Sequence, residues 1–158
     1  MIILGIDPGS TRIGYGVIET AKGLSLIDCG IIGTDLKSPN DQLLENVQRL
    51  SSLMKKYRPA IVSIEKIYFS KNVKTGIAVA QTRGALIAEI SRYKTPIKEL
   101  GPSEIKLAVT GYGFADKKAV AKMVKLILKI KDDRLKGYDD LTDALAIAIA
   151  GAGKTIEN

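Results

Sequence analysis

The stretch MIILGIDPGS, residues 1–10, predicts the first strand of the fold and the turn that follows it. Its apolar run at residues 2–7 predicts a buried strand that ends at Asp7, and Pro8 and Gly9 then favour a tight turn. An Asp is common at such a turn because its carboxylate accepts hydrogen bonds from nearby backbone amides. On this stretch alone, a turn is the simpler interpretation of Asp7. A metal or catalytic site would need further acids elsewhere in the chain, because one carboxylate binds a divalent ion poorly.

The segments that follow predict an α/β domain. Two more β-branched runs, at residues 14–20 and 24–34, continue the first strand as an antiparallel meander. Helices and short apolar strands then alternate, with helices at residues 41–57, 72–93, 102–110, 116–131 and 139–150 and strands at 60–65 and 96–100. We therefore expect a five-stranded mixed sheet flanked by helices, in one domain over residues 1–152 with a short C-terminal tail at 153–158.

The amino-acid composition favours some classes of function and excludes others. With 24 Lys+Arg against 17 Asp+Glu, the formal net charge is +7, which favours a polyanionic partner and nucleic acid above all. The chain has no His, which excludes Ser-His-Asp hydrolysis and His-bearing zinc sites. Cys29 is the only cysteine, which suits a reducing compartment. The longest uncharged apolar stretch, residues 144–153, is half of the ~20 residues that a membrane helix needs. We expect a cytoplasmic protein with no membrane partner.

A second acid repeats the pattern of Asp7. Residues 60–65 form an apolar run that ends in Glu65. Sites in open α/β sheets form outside the carboxyl ends of the strands, so Asp7 and Glu65 converge if their strands are parallel neighbours. The alternative is an ordinary exposed strand end beside Lys66.

Two more acids open the last helix, in the stretch DDLTDALAIAIAG at residues 139–151. Asp140 and Asp143 are three apart and share one face of a helix that must be buried nearly all round. Helix capping explains Asp140 well, because acids in a first turn complement the free N–H groups. It explains Asp143 poorly, because a carboxylate at the start of a buried run is costly without a compensating cation.

Together the four acids suggest a metal site without nitrogen or sulfur ligands. Oxygen ligands of this kind select Mg²⁺ or Mn²⁺. Two such ions about 4 Å apart activate a water and stabilise the leaving oxygen in phosphodiester hydrolysis. Asp7 would then lie between the two ions.

Four motifs carry a resemblance to a known family. They are LGIDPGSTRIGYGVIE, IEKIYFSKNVKTGIAVAQTRG, GPSEIKLAVTGYGFADKKAV and DDLTDALAIAIA, in this order over nearly the whole chain. The sequence resembles the RuvC family of Holliday-junction resolvases. The resemblance implies a ribonuclease H-like fold, a homodimer, two Mg²⁺ ions per subunit with Mn²⁺ as a substitute, and paired nicks across a four-way DNA junction. It also implies 5′-phosphate ends, a branch-migration complex as partner, and a place in recombination and repair.

The resemblance assigns roles residue by residue. The catalytic and metal-binding acids of the family fall on Asp7, Glu65, Asp140 and Asp143, and its basic residues near the scissile phosphate fall on Lys106 and Lys117. The aromatic residue that stacks at the junction centre falls on Tyr68, with Phe69 beside it, and either ring can be the one that stacks. The predicted DNA contacts are Tyr68, Phe69, Lys71, Lys74, Lys106, Lys117 and Lys118.

Two surfaces have both a functional and an ordinary interpretation. Lys118, Lys122, Lys125 and Lys129 follow helical spacing, which is typical of a solvated face as well as of a DNA contact. Tyr68 and Phe69 lie among cations, as in platforms that stack bases, although one of two adjacent rings usually belongs to the core. Phe114, in a loop flanked by glycines, is a further candidate for stacking.

A smooth helix face also has two interpretations. Small residues recur every fourth position at Gly76, Ala80, Gly84 and Ala88. Such a face packs closely, either against the sheet of its own chain or against the same helix of a second subunit.

Three rival functions remain at this stage. The segment IDPGSTRIGYG also resembles the phosphate loop of the actin, heat-shock ATPase and sugar-kinase superfamily, whose members clasp nucleotide between two domains. Short ribosomal-RNA-processing nucleases share a similar opening motif without the IEKIYFSKN segment. A non-catalytic junction-binding module would tolerate the loss of an acid, and none of the four is lost here.

Overall fold

The computed structural model describes residues 1–10, 12–67, 73–130 and 139–153. Five strands and five helices follow one another along these residues. The strands are β1 (Ile2–Pro8), β2 (Arg12–Glu19), β3 (Ser25–Gly33), β4 (Ile61–Glu65) and β5 (Ile97–Leu100). The helices are α1 (Pro39–Tyr57), α2 (Val73–Arg92), α3 (Pro102–Thr110), α4 (Lys117–Ile127) and α5 (Asp139–Ala152). No helix within these residues is long and apolar enough to cross a membrane.

The strands form one sheet in the order β3-β2-β1-β4-β5. The meander pairs β1 with β2 and β2 with β3 in antiparallel fashion, whereas β4 and β5 run parallel to β1. The predicted five-stranded mixed sheet is confirmed. It differs from the expectation in that β1 continues through Pro8, which pairs with Ile13, so that the hairpin turns within a few residues.

Alternation along the strands separates two apolar layers. Leu4 and Ile6 of β1 and Val62 and Ile64 of β4 belong to the core beneath α1 and α2. Ile3 packs instead into the second core, which α3, α4 and α5 cover. Because successive side chains on a strand point to opposite faces, Asp7 and Glu65 fall on the face that α5 covers.

Helix α5 lies directly on the middle of the sheet because small residues let it approach. A Cβ atom built on Gly5 of β1 would lie 2.8 Å from the Cβ of Ala148, and closer still to the carbonyl oxygen of Ala144. One built on Gly16 of β2 would lie 2.7 Å from Leu145 Cδ2. These contacts fix the height of α5 above the strands, and with it the position of the acids in its first turns.

The end of α4 corrects the expected helix at residues 116–131. The helix ends at Ile127, and Lys129 has a left-handed φ of 53°. The amide of Lys129 donates to the Leu126 carbonyl and that of Ile130 donates to the Lys125 carbonyl, which together form a Schellman-type stop. Lys129 therefore lies beyond the helical stripe of Lys118, Lys122 and Lys125.

The small-residue face of α2 is only partly occupied within one chain. Gly84 and Ala88 are exposed, and a Cβ built on Gly84 meets no atom within 4 Å. Gly76 lies instead beside the end of β4, near Glu65. The sheet of the same chain therefore does not cover the face at Gly84.

Candidate active site

Strand register brings the first two acids together. Ile6 of β1 pairs with Ile64 of β4 in parallel, so Asp7 and Glu65 are the next residues of neighbouring strands and leave the sheet on the same face. Asp143 approaches from the first turns of α5, which packs on that face. The predicted convergence of the acids at the carboxyl ends of β1 and β4 is therefore seen for these three side chains.

The three carboxylates line an open cleft of about 310 Å³. Lys106 of α3 and Lys117 at the start of α4 line the same cleft. The Lys117 ammonium lies 3.0 Å from a carboxylate oxygen of Asp143, and both side chains remain partly open to solvent. Both lysines that the family resemblance assigns near the scissile phosphate therefore lie beside the acids.

The cleft has a marked effect on Glu65. Burial, together with the negative charges of Asp7 and Asp143, raises the pKa of Glu65 to about 7, against a smaller lowering by Lys106. A carboxyl group with such a pKa is partly protonated near neutral pH. A divalent cation would favour its ionised form, so cation binding should release a proton from Glu65.

This raised pKa predicts a loss of stability with rising pH. The folded protein holds a proton on Glu65 between pH 4.5, its ordinary pKa, and about 7, where the unfolded chain has released it. The contribution of Glu65 to the free energy of unfolding is therefore most favourable below this window and is lost as the pH rises through it. We expect Glu65→Gln to be more stable than the unmodified protein at pH 8 in EDTA, by about 1 to 2 kcal/mol after allowance for solvent screening, and to lose this advantage at pH 5.

Urea unfolding at both pH values measures the difference. Glu19→Gln is the matched control, because Glu19 lies at the opposite end of the sheet, paired with Ile2. An equal pH dependence of the unmodified protein and Glu65→Gln would show that Glu65 titrates normally. Addition of Mg²⁺ at pH 8 should stabilise the unmodified protein more than Glu65→Gln.

The donor set fits a hard cation. Asp7, Glu65 and Asp143 offer only carboxylate oxygens, the ligands that Mg²⁺ and Mn²⁺ prefer, and the chain has no His to compete. Among the residues that the structure describes, no three acidic, His or Cys side chains already surround a single point. Asp143 is paired instead with the Lys117 ammonium, a contact that a cation would compete with.

Sequence reasoning missed Arg83 of α2, which holds the end of β4 in place. Its side chain is 16% exposed and pairs with the Glu99 carboxylate of β5. Its Nε donates to the backbone carbonyl of Glu65 at 3.0 Å. An Arg on a helix of mostly small residues was the available indication in the sequence, but its partners lie on other elements and are not evident from spacing.

Several predicted site residues cannot be placed. Tyr68, Phe69 and Lys71 lie outside the described residues. Asp140 and Lys74 lie in the first turns of α5 and α2, but their side chains are also outside the described part of the structure. Lys118 is exposed on α4, one residue beyond Lys117.

Carboxylates and lysines gathered at the ends of two parallel strands are an arrangement that suits the class of metal-dependent enzymes that hydrolyse phosphodiesters. Within this class, the family model described as crossover junction endodeoxyribonuclease RuvC matches residues 3–151. The chain belongs to this family.

Individual relatives agree with this assignment. The crossover junction endodeoxyribonuclease RuvC of Prochlorococcus marinus (strain NATL1A) is 44% identical over 153 residues, which are 96% of this chain and 97% of the relative. That of Petrotoga mobilis is 43% identical over 150 residues, 94% of this chain and 91% of the relative. The structure of T. thermophilus RuvC in complex with a Holliday junction substrate matches with a TM-score of 0.86 and 30% identity, over 95% of this chain and 92% of that one. The predicted ribonuclease H-like fold is confirmed.

Proposed function

We propose that this protein is an endodeoxyribonuclease that resolves four-way DNA junctions by paired, symmetric nicks. One observation carries the proposal: Asp7, Glu65 and Asp143 meet in one cleft with Lys106 and Lys117, in a chain of the RuvC family. A relative of the same fold was solved with a Holliday junction substrate. The excess of positive charge suits a DNA partner.

Nicking by this family requires a divalent metal, and we assign Mg²⁺, with Mn²⁺ as a substitute and two ions per subunit. Asp7, Glu65, Asp140 and Asp143 would hold the ions. When bound, the ions supply Lewis acidity that activates a water and stabilises the leaving 3′ oxygen. The ends are then a 5′-phosphate and a 3′-hydroxyl.

The lysines and Glu65 contribute the remaining chemistry. Lys106 and Lys117 place positive charge in the cleft where the scissile phosphate must lie. The Lys117 ammonium lies 3.0 Å from an Asp143 carboxylate oxygen, and from the same position at the start of α4 it would contact the phosphate of a bound strand. Glu65 would be fully ionised once a cation is bound, so the net charge of the site would depend on the cation.

Other residues are proposed to hold the DNA beyond the cleft. Lys118 is exposed next to Lys117 and suits a phosphate contact. Lys71 and Lys74 are assigned the same role near the start of α2, and Tyr68, or Phe69 in its place, is assigned to stack on a base where the junction opens.

The experiment that tests this function compares substrates directly. The purified protein is incubated with labelled four-way junction, linear duplex and single-stranded RNA, each with Mg²⁺ and with EDTA. We expect symmetric nicks in the junction with Mg²⁺ only. Cleavage of RNA in preference to the junction would favour the ribosomal-RNA-processing alternative, and undiminished cleavage in EDTA would contradict the metal assignment.

We further propose that the working unit is a homodimer, joined through α2. The exposed face at Gly84 and Ala88 supports this, together with Ile77, whose side chain is 51% exposed. A substrate with two equivalent cutting positions favours a two-fold symmetric enzyme, because one rotation places both sites. The branch-migration complex as loading partner, the cytoplasmic location and the role in recombination and repair are proposed on the family resemblance.

Replacing Gly84 with Leu should weaken the dimer. The added side chain enters a space that is empty within one chain, so the fold should stay intact while the close approach of two helices is blocked. We expect analytical ultracentrifugation to show a dissociation constant raised at least about 10-fold, which corresponds to about 1.4 kcal/mol.

The control is Ala108→Leu, a helix position on α3 that is also exposed and lies on the opposite side of the sheet. It should leave association unchanged. A monomeric unmodified protein that still resolves junctions would refute the dimer.

A further inference from the structure

The loop between α3 and α4 exposes two aromatic rings. Tyr112 is 62% exposed and Phe114 is 82% exposed. Their ring centroids lie 5.8 Å apart at an interplanar angle of 57°, so the rings lean on each other without being buried. The chain has only two Phe residues, and exposing one of them leaves its apolar faces in water.

The loop that carries the rings is held firmly on both sides. Gly111, at a left-handed φ of 77°, ends α3 and donates its amide to the Leu107 carbonyl. The Tyr112 amide donates to the Thr110 hydroxyl at 3.1 Å, and the Ala115 amide donates to the Tyr112 carbonyl, also at 3.1 Å. The rings are therefore presented by a fixed backbone, which lowers the entropy that binding would cost.

Asp116 fixes the far side of the loop. Its carboxylate accepts the Ala119 amide at 2.7 Å and so caps the start of α4. The next residue is Lys117, which lines the catalytic cleft. The loop is thus anchored directly to an active-site helix.

The backbone of this loop also lies close to that cleft. Phe114 precedes Lys117 by three residues, and three residues span at most about 11 Å. On the other side, a Cβ built on Gly113 would lie 3.4 Å from the Ser103 carbonyl oxygen, next to Pro102, which lines the cleft. Because bases stack about 3.4 Å apart along one strand, this distance corresponds to about three nucleotides.

The charged residues around the loop indicate which class of ligand the two rings would bind. Lys106, Lys117 and Lys118 flank the loop and favour an anionic partner. A partner that offers both negative charge and flat apolar faces at short intervals is a nucleic acid strand, in which every base has a π-face. An apolar protein segment would match the rings but not the lysines.

We propose that Phe114, supported by Tyr112, is a stacking platform for a base of the cleaved strand within about three nucleotides of the scissile phosphate. This inference rests on the proposed junction-cleaving function and adds a second aromatic contact to the one assigned to residues 68 and 69. It predicts that the rings position the strand for cutting, whereas the carboxylates perform the chemistry.

The test uses four-way junctions that carry 2-aminopurine, a fluorescent adenine analogue, at each of the three nucleotides on either side of the mapped nick. Binding is measured in EDTA for the unmodified protein and for Phe114→Ala, Phe114→Trp and Tyr112→Ala. We expect quenching of 2-aminopurine at one of these positions, loss of that quenching in Phe114→Ala, and its return in Phe114→Trp. The dissociation constant of Phe114→Ala should rise about 5- to 100-fold.

Two further readouts separate stacking from other roles. The slope of log binding constant against log salt should be unchanged in Phe114→Ala, because no phosphate contact is lost, whereas Lys118→Ala should reduce that slope by about 1. The Tm of Phe114→Ala should match that of the unmodified protein, because the ring is exposed. The control is Leu44→Ala, an apolar side chain 58% exposed on α1, on the other face of the sheet.

The outcomes are distinct from those of the proposed function. If the unmodified protein nicks junctions and Phe114→Ala binds them with unchanged affinity and quenching, the platform is refuted and the function stands. Unchanged DNA binding together with altered self-association in ultracentrifugation would assign the rings to a protein contact and also refute the platform. If the unmodified protein nicks no junction, the function fails, and absent quenching on bound DNA would then overturn the platform as well.

Discussion

Replacing Asp7 with Asn is expected to lower the single-turnover rate of junction nicking by about 1,000-fold or more, with the fold intact. The size of this fall in rate follows from the metal-binding role of Asp7. Each bound metal ion contributes several kcal/mol of transition-state stabilisation, and a loss of about 4 kcal/mol lowers a rate about 1,000-fold. Asp7 is the penultimate residue of the central strand β1, beside the end of β4 and below α5, and we propose that its carboxylate is shared by the metal ions. Asn keeps the shape and removes the charge.

Junction binding in EDTA should behave in the opposite way. Asp7, Glu65 and Asp143 repel one another and would repel a phosphate in the metal-free cleft. Removing one charge relieves that repulsion, so Asp7→Asn should bind the junction as tightly as the unmodified protein, or more tightly. Gel-shift assays and single-turnover cleavage on the same labelled junction measure both effects.

The other acids and a control complete the experiment. Glu65→Gln, Asp140→Asn and Asp143→Asn should be similarly inactive. Asp116→Asn is the matched control: it removes one negative charge immediately before Lys117, yet Asn caps a helix as well as Asp does. A variant of the four acids that nicks at the unmodified rate would exclude that residue from the site.

Local patterns were enough to predict where the acids meet. Periodicity located the strands that end at Asp7 and Glu65, and the rule that parallel strands share a carboxyl-end edge brought the two residues together. Asp143 was predicted to belong to the site because a carboxylate at the start of a buried helix is unfavourable without a compensating cation. Each of these inferences needs only the sequence near one residue and a general property of sheets or helices.

Contacts between distant segments could not be predicted in this way. Two such contacts are the ion pair of Lys117 with Asp143 and the hydrogen bond from Arg83 to the Glu65 carbonyl. Both depend on how helices α2, α4 and α5 are oriented over the sheet. No spacing within one segment encodes that orientation. The stop of α4 before Lys129 was missed for a different reason, because a Lys in the left-handed region is uncommon and gives no glycine to mark the end of the helix.

The short distance between α5 and the sheet could not be predicted from the sequence either. It leads us to expect a large loss of stability when Gly5 is replaced. Gly5→Ala adds one methyl group where β1 meets α5, within 2.8 Å of the Ala148 Cβ atom and still closer to the Ala144 carbonyl oxygen. Neither backbone can yield without moving the helix, so the free energy of unfolding should fall by about 2 to 3 kcal/mol. Urea unfolding of the variant measures this loss.

The nicking rate of Gly5→Ala should fall by more than its loss of folded protein would cause, because α5 carries Asp143 into the cleft. A displacement of about 1 Å can cost about 100-fold in rate, so we expect Gly5→Ala to nick junctions about 100-fold more slowly at a temperature where circular dichroism shows it fully folded. Gly84→Ala is the control for stability: within its own chain the new methyl group meets no atom within 4 Å, and Ala in a helix interior should raise the free energy of unfolding by about 0.5 to 1 kcal/mol. A Gly5→Ala variant as stable and as active as the unmodified protein would show that α5 is not held at this height, and that the position of Asp143 is set elsewhere.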